Sequence, residues 1–370
     1  MKQVLLAVAG IIPTDLEQQI AAGRRPRADY LELARYCEAD LIDYRIARAD
    51  SGIVGHLCAQ LGRPHLALAL ACFMRRHHYQ AIVTGNEQVG LLLAALLKLF
   101  SLNRRPRHLI LGHQLSNSKY QAVFDRLGVQ SQIDRLIVDS AWQQRFISER
   151  WQIPPQRAPY LPAAVDEQFF HPRHAPPRPT VRPQIGVVGF KQTDYLTLLR
   201  AVTGLHSDVV VAAADPWFAH RNSKGMHPFP PNVRVQTCTP LELRQFYRDS
   251  RFVVMLLEPA DVQIGSRAIL EAMAMERAVI CTRIPGHSDL VVDGANGIYV
   301  PPRDPAALRT AIEYLLAEPG RAEQMGRIGR QIVEQRLSLD HYTTPMSDIV
   351  YESLAEAGVE PALVKSQEQS

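Results

Sequence analysis

The chain has few cysteines, no long internal apolar run and none of the short motifs that mark the commonest cofactor enzymes. Its five cysteines, at 37, 58, 72, 238 and 281, form no Cys-x-x-Cys pair and leave one unmatched. That argues against a disulfide framework, and the expected setting is a reduced, cytoplasmic one with cysteines serving as small apolar residues. The longest internal apolar run, Val89 to Leu97, falls far short of the ~20 residues needed to span a bilayer. Val4 to Ile12 imitates an export signal, but its strand-forming residues and the immediate Asp15 and Glu17 favour a first buried strand. No GxGxxG, Walker A or HExxH sequence is present, and no cysteine–histidine spacing suits zinc. Dinucleotide, ATPase and metallo-hydrolase chemistry therefore lack support.

What is there fits a soluble globular protein: 370 residues, 46% hydrophobic and 21% charged. This length suits two domains of about 150–200 residues each. The net charge of +4 is uneven, with 21 Lys+Arg against 15 Asp+Glu in residues 1–175 and 20 against 22 in the rest. Basic clusters stand at Arg24-Arg25-Pro26-Arg27, Arg75-Arg76-His77-His78 and Arg104-Arg105-Pro106-Arg107-His108. They lack the interleaved aromatics of a stacking surface, so nucleic acid is not an expected partner. Peripheral contact with an anionic inner membrane face is a partner to be weighed. The plainer reading is that Arg75 and Arg76 close a helix, where cations suit the dipole, and that the others sit on solvated turns.

Two segments share one grammar, Lys2 to Gly10 and Pro183 to Gly189: each is a short apolar strand ending at glycine, and each opens about half the chain. Between them five prolines from Pro172 to Pro183 suggest a stiff, exposed linker. Apolar strands alternate with helical stretches in both halves, which implies parallel sheets covered on both faces. The expected division is residues 1–172 with a returning segment of about 345–370, a linker over 173–183, and a second domain over 184–344.

The most informative run is Ser266 to Met275. It follows the strand-like Phe252 to Leu257 and a polar loop, so Glu271 falls in the first turns of a helix that begins where a parallel strand ends. Ligands bind at that junction in open α/β sheets, because free N–H groups and the helix dipole point into the crevice. A diphosphate suits the helix end, and Glu271 can accept hydrogen bonds from ribose hydroxyls.

Leu270 to Met275, Ala278-Val279-Ile280, Pro285-Gly286, Val292-Asp293-Gly294, Gly297, Val300-Pro301-Pro302 and Asp304-Pro305 together resemble the donor-binding half of family 4 retaining glycosyltransferases. Val138-Asp139-Ser140 and Val165 to Pro172 are similar to that family's approach to its interdomain linker. The resemblance implies an α/β protein of two Rossmann-like domains (the GT-B fold) facing across a cleft, with a C-terminal helix crossing back to the first domain. It implies a hexosyltransferase moving a sugar with retention from a nucleoside diphosphate sugar to a glycan, lipid or small-molecule acceptor, with no cofactor and no bound metal required. A nucleotide-sugar epimerase and a non-catalytic nucleotide-sugar binding protein are the alternatives.

Carried over residue by residue, Glu271 matches the ribose-binding glutamate of the family's E-x7-E motif. Gln263 stands where the first glutamate should be and can hydrogen-bond a sugar hydroxyl without charge. Gly189, Gly265, Ser266 and Arg267 complete the donor side. The family's two phosphate cations are reduced here to Lys191, which Arg267 would have to assist. His113, just after a strand, is placed against the donor sugar, while Gly10 and Glu87 face the acceptor. For several of these a plainer role is open: a satisfied structural histidine at 113, solvent-directed Arg267, or a helix-start carboxylate at Glu87.

Overall fold

The computed structural model describes residues 2–100, 105–179, 181–190, 192–213, 229–258, 265–284 and 289–359. Short apolar runs bounded by polar turns form the strands. The first half holds β1 (Val4–Ala7), β2 (Asp40–Ile42), β3 (Ala81–Thr84), β4 (Arg107–Gly112) and β5 (Arg135–Val138). Its helices are α1 (Leu16–Ala21), α2 (Asp29–Tyr36), α3 (Tyr44–Asp50), α4 (Gly52–Gln60), α5 (Pro64–Arg75), α6 (Glu87–Phe100), α7 (Ser118–Leu127) and α8 (Ala141–Trp151). The second half holds β6 (Gln184–Gly189), β7 (Asp208–Ala213), β8 (Val233–Gln236), β9 (Ser250–Met255), β10 (Ala278–Thr282) and β11 (Gly297–Val300). With them come α9 (Tyr195–Val202), α10 (Pro240–Asp249), α11 (Ser266–Ala274), α12 (Pro305–Ala317), α13 (Pro319–Ile332) and α14 (Leu339–Ala355).

Two units result. The first is built from the described residues of Met1–Leu16, Ala28–Pro162 and Asp340–Ser370. Its sheet runs β2-β1-β3-β4-β5 with every neighbouring pair parallel. Successive residues of a strand face opposite sides, so β1 feeds two cores. Leu5 and Ala7 pack with Ile82, Val89 and Leu93 under α5 and α6, while Val4 and Leu6 pack with Val83, Leu109 and Ile137. Into that second core α14 sends Met346, Val350 and Leu354, a spacing of four that lies on one helix face. The expected return of a C-terminal helix to the first unit is thus observed.

The second unit is built from the described residues of Glu17–Arg27 and Ala163–Leu339. Its parallel sheet runs β11-β10-β9-β6-β7-β8, with α10 and α11 on one face and α9 and α12 on the other. The proline-rich stretch belongs to this unit and is tied along α10. Arg178 N–H donates to Asp249 (3.1 Å), Gln245 to the Pro176 carbonyl (2.9 Å) and Arg248 to the Ala175 carbonyl (3.1 Å).

Much of the basic excess is neutralised internally. Arg27 holds Asp166 through its backbone N–H (2.7 Å) and its Nε (3.1 Å). Arg105 and Arg107 share Asp134, each at 2.6 Å. Arg75 ends α5 and pairs with Asp50, and Arg76 caps that helix, its guanidinium 3.8 Å from the Phe73 ring centre. No described helix is long and apolar enough to cross a membrane.

Candidate functional site

Strand order reverses beside β6 in the second sheet: β7 and β8 lie to one side, β9 to β11 to the other. The carboxyl ends at such a switch point form a crevice by topology alone. On the β9 side the chain enters α11 through Gly265, whose φ of +84° is left-handed and suits glycine. A Cβ there would lie 2.5 Å from the Met255 sulfur, so backbone and strand end are in close apposition. Gly189 closes β6 in the same way, since a Cβ would meet the Tyr195 hydroxyl at 2.4 Å. The following loop is pinned by the Phe190 N–H on Thr193 Oγ1 (2.7 Å) and by Asp194, which caps α9 through the Thr197 N–H (3.0 Å).

Glu271 stands in the second turn of α11 and is 8% exposed. Its Oε2 accepts the Tyr247 hydroxyl at 2.9 Å. Tyr247 comes from α10 and is itself fully buried against Phe246 and Phe170. Burial pushes the Glu271 carboxyl up to about 7, although the Tyr247 hydrogen bond and the Arg267 charge pull the other way. A carboxylate this desolvated, with one tyrosine donor, is stabilised by any further donors that reach it. Ser266 is buried at the helix start beside it. Glu258 is engaged elsewhere, on Arg303 at 2.9 Å. Lys191, Gln263, Pro285 and Gly286 lie outside the described residues.

The first sheet reverses its order beside β1, with β2 on one side and β3 on the other. A cavity of about 260 Å³ opens at that point, lined among others by Val8, Ala9, Asp29, Asn86, His113 and Tyr342. Gly10 ends the loop after β1; a Cβ on it would meet nothing within 4 Å, and its carbonyl accepts the Tyr44 N–H at 3.0 Å. Glu87 opens α6, is buried, and accepts the backbone N–H of His113 at 3.2 Å. Glu87 and His113, expected on different sides of a site, are therefore in contact.

His113 Nδ1 lies 3.0 Å from Asp139 Oδ2, at the end of β5. Gln143, one turn into the helix that Ser140 caps, donates to Asp139 Oδ1 (3.0 Å) and to the His113 carbonyl (2.8 Å). Desolvation pulls the imidazole pKa down, but the hydrogen bond and charge of Asp139, joined by Glu87 and Asp29, outweigh it and raise it to about 9. The contact with Asp139 orients the ring through Nδ1 and favours its charged form, in which Nε2–H is a further donor. Its side chain stays 48% exposed.

Tyr247, Asp139, Gln143, Asp29 and Tyr342 were not among the residues expected at a site. Asp139 alone carried a local signal, a carboxylate directly after a parallel strand. The others are brought in by tertiary packing. Among the described residues no group of three or more His, Cys, Asp or Glu side chains could hold a metal ion.

Known proteins resemble this chain in sequence over its second half and in fold over nearly its whole length. Residues 183–318 match the family described as Glycosyl transferases group 1. Over 111 residues the chain is 32% identical to EpsD of Bacillus subtilis (strain 168), a provisionally named glycosyltransferase; that match spans 28% of this chain and 29% of the relative's length. Sucrose-phosphate synthase from Thermosynechococcus elongatus superposes with a TM-score of 0.69 at 18% identity, covering 96% of this chain and 100% of that one. Anabaena HepE, crystallised with UDP-glucose, gives 0.68 at 13%, covering 95% and 99%. A Rickettsia africae glycosyltransferase gives 0.63 at 15%, covering 95% and 98%. These likenesses establish the GT-B fold.

Proposed function

We propose that the protein is a retaining glycosyltransferase of family 4 that moves a hexose-type sugar from a nucleoside diphosphate sugar to an acceptor. The observation that carries this reading is Glu271: a buried carboxylate one turn into α11, short of donors, at the switch point of the unit that matches the group 1 family. The two hydroxyls of a ribose are the donors it lacks. Gly265 and Gly189 let backbone approach a diphosphate, and the N-terminus of α11, with Ser266, Arg267 and Lys191, stabilises the charge that gathers there as the glycosidic bond breaks. HepE was crystallised with UDP-glucose, which supports a uridine or related donor here.

His113 is assigned to a hydroxyl of the transferred sugar, with Asp139 and Gln143 fixing its orientation. Gly10 and Glu87 belong to the acceptor side, and Gln263 is assigned to the sugar as an uncharged partner. No protein nucleophile and no metal are required in this reading; the leaving phosphate helps deprotonate the acceptor. The test is incubation of purified protein with a panel of nucleotide sugars and candidate acceptors. Acceptor-dependent release of nucleoside diphosphate is expected. Conversion of the donor without any acceptor, or binding without turnover, would overturn the assignment.

A further inference from the structure

The first unit carries an exposed face that the sugar chemistry does not use. Helix α4 reads Gly-Ile-Val-Gly-His-Leu-Cys-Ala-Gln and contains no charged residue. A helix without a charged face is ordinarily buried, yet Ile53, Leu57 and Leu61 are exposed, Ile53 by 89%. The spacing of four puts them on one stripe, and the Leu61 N–H still donates to the Leu57 carbonyl at 3.0 Å, so the helical turn reaches Leu61. Gly55 and Cys58 face inward instead.

The stripe is continuous with two neighbouring helix ends. Asp50, the last residue of α3 just before α4 begins, is ion-paired with Arg75 at the end of α5, next to the exposed Met74. On the same turn Phe73 meets Phe100 edge-on at 6.1 Å, where Leu99 and Phe100 stand exposed at the end of α6. Six of the fourteen exposed large apolar side chains among the described residues gather here.

Charge around this face has one sign. Residues 44–80 contain five arginines, at 45, 48, 63, 75 and 76, and a single acid, Asp50, which Arg75 already occupies. Arg45, Arg48 and Arg63 are exposed, and none has an ion pair among the described residues. A second copy of the chain would set like charges against each other, which disfavours self-association through this face. An apolar stripe fringed by arginines is complementary to an anionic bilayer, which offers acyl chains beneath negative headgroups.

We propose that α3, α4 and the adjoining ends of α5 and α6 form a docking face for an anionic lipid bilayer. Ile53, Leu57 and Leu61 enter the acyl boundary, and Arg45, Arg48 and Arg63 contact headgroups. The face leads toward the cavity in the same unit: beyond Leu61, His65 Nδ1 lies 2.6 Å from the Tyr44 hydroxyl, and the Tyr44 N–H donates to the Gly10 carbonyl at the cavity loop. A membrane-bound enzyme would thus hold its acceptor loop near the lipid surface. The docking does not rest on the glycosyl-transfer reading, because it is measured without nucleotide.

The experiment is flotation of the full chain with phosphatidylcholine vesicles, with and without phosphatidylglycerol, at low and high salt. Co-flotation with the anionic vesicles is expected, weakened by salt. I53S/L57S/L61S should lower the partition by more than about tenfold, and R45E/R48E/R63E should abolish the preference for phosphatidylglycerol while leaving the circular dichroism melt unchanged. Wild-type protein that stays with neither vesicle, or both variants floating like wild type, would overturn the proposal. So would a wild-type dimer, seen by light scattering, that the serine variant dissolves while vesicle binding is absent throughout.

Discussion

The two sheets reverse their strand order alike, yet their switch points are furnished differently. In the second unit one continuous stretch, from the end of β9 through Gly265 to Glu271, supplies the strand end, the turn and the carboxylate, and only Tyr247 comes from elsewhere. In the first unit Glu87, His113, Asp139 and Gln143 arrive from α6, the end of β4, the end of β5 and α8 before their hydrogen bonds exist. The contrast separates two kinds of site. One is a local piece of chain that folding merely positions; the other is a network that folding creates.

The sharpest test of that division is Glu271→Ala. Loss of charge-assisted bonds of ~1.5–3 kcal/mol should weaken UDP or GDP binding by roughly ten- to a hundredfold in calorimetry. His113→Ala should leave binding of the free nucleoside diphosphate within about twofold, since the two positions act independently in this reading. Equal damage from both would erase the distinction between the two switch points.

Next in size is a glycine comparison. Gly265→Ala forces a side chain onto a φ of +84° and into the Met255 sulfur. A loss of ~1–3 kcal/mol is expected, read as a lowered denaturation midpoint. Gly10→Ala, in the other unit's loop, has open space around it and should stay within about 0.5 kcal/mol of wild type.

The two units should also titrate in separate pH windows. The His113 pKa is raised above its unfolded value, so its contribution to stability is complete below the ordinary histidine range and is lost as pH rises through about 9. Transfer activity should fall in that same alkaline window, and Asp139→Asn should move the fall toward lower pH by removing the largest opposing charge. The Glu271 pKa is raised from 4.5 to about 7, so ionising it costs stability as pH rises across that interval. Ribose hydroxyls favour the ionised form, so nucleotide affinity should increase with pH through about 7. Profiles of binding and turnover that share one midpoint would contradict this.

The smallest effect is reserved for Tyr247→Phe. Its hydroxyl lowers the Glu271 pKa, so its removal should shift the binding midpoint to higher pH and cost ~1 kcal/mol of stability.

The central strands of both sheets were legible in the sequence because they are short, continuous apolar runs, whereas the edge strands β2 (Asp-Leu-Ile) and β8 (Val-Arg-Val-Gln) carry too little apolar pattern to be read and were missed. Glu271 was legible because its strand, turn and helix are contiguous. The basic clusters were legible as composition but not as contacts. Arg27 finds Asp166 some 139 residues away, and Arg105 and Arg107 converge on Asp134 across 27 to 29 residues. Such pairings depend on which strands become neighbours, which no local pattern encodes. Tyr247 was hidden for the same reason: on α10 it reads as one more apolar residue, and only the packing of α10 beside α11 turns its hydroxyl toward a carboxylate.

The placement of α14 has a consequence for biogenesis. Leu6, Val83 and Leu109 are translated early, but the residues that cover them, Met346, Val350 and Leu354, emerge only after the entire second unit has been made. A nascent chain can therefore complete its later unit while the earlier one still presents an apolar sheet face covered only in part, by α2, to the ribosome exit. Chaperone demand during synthesis should fall on that interval, and truncations that remove the final helix should aggregate rather than merely lose activity.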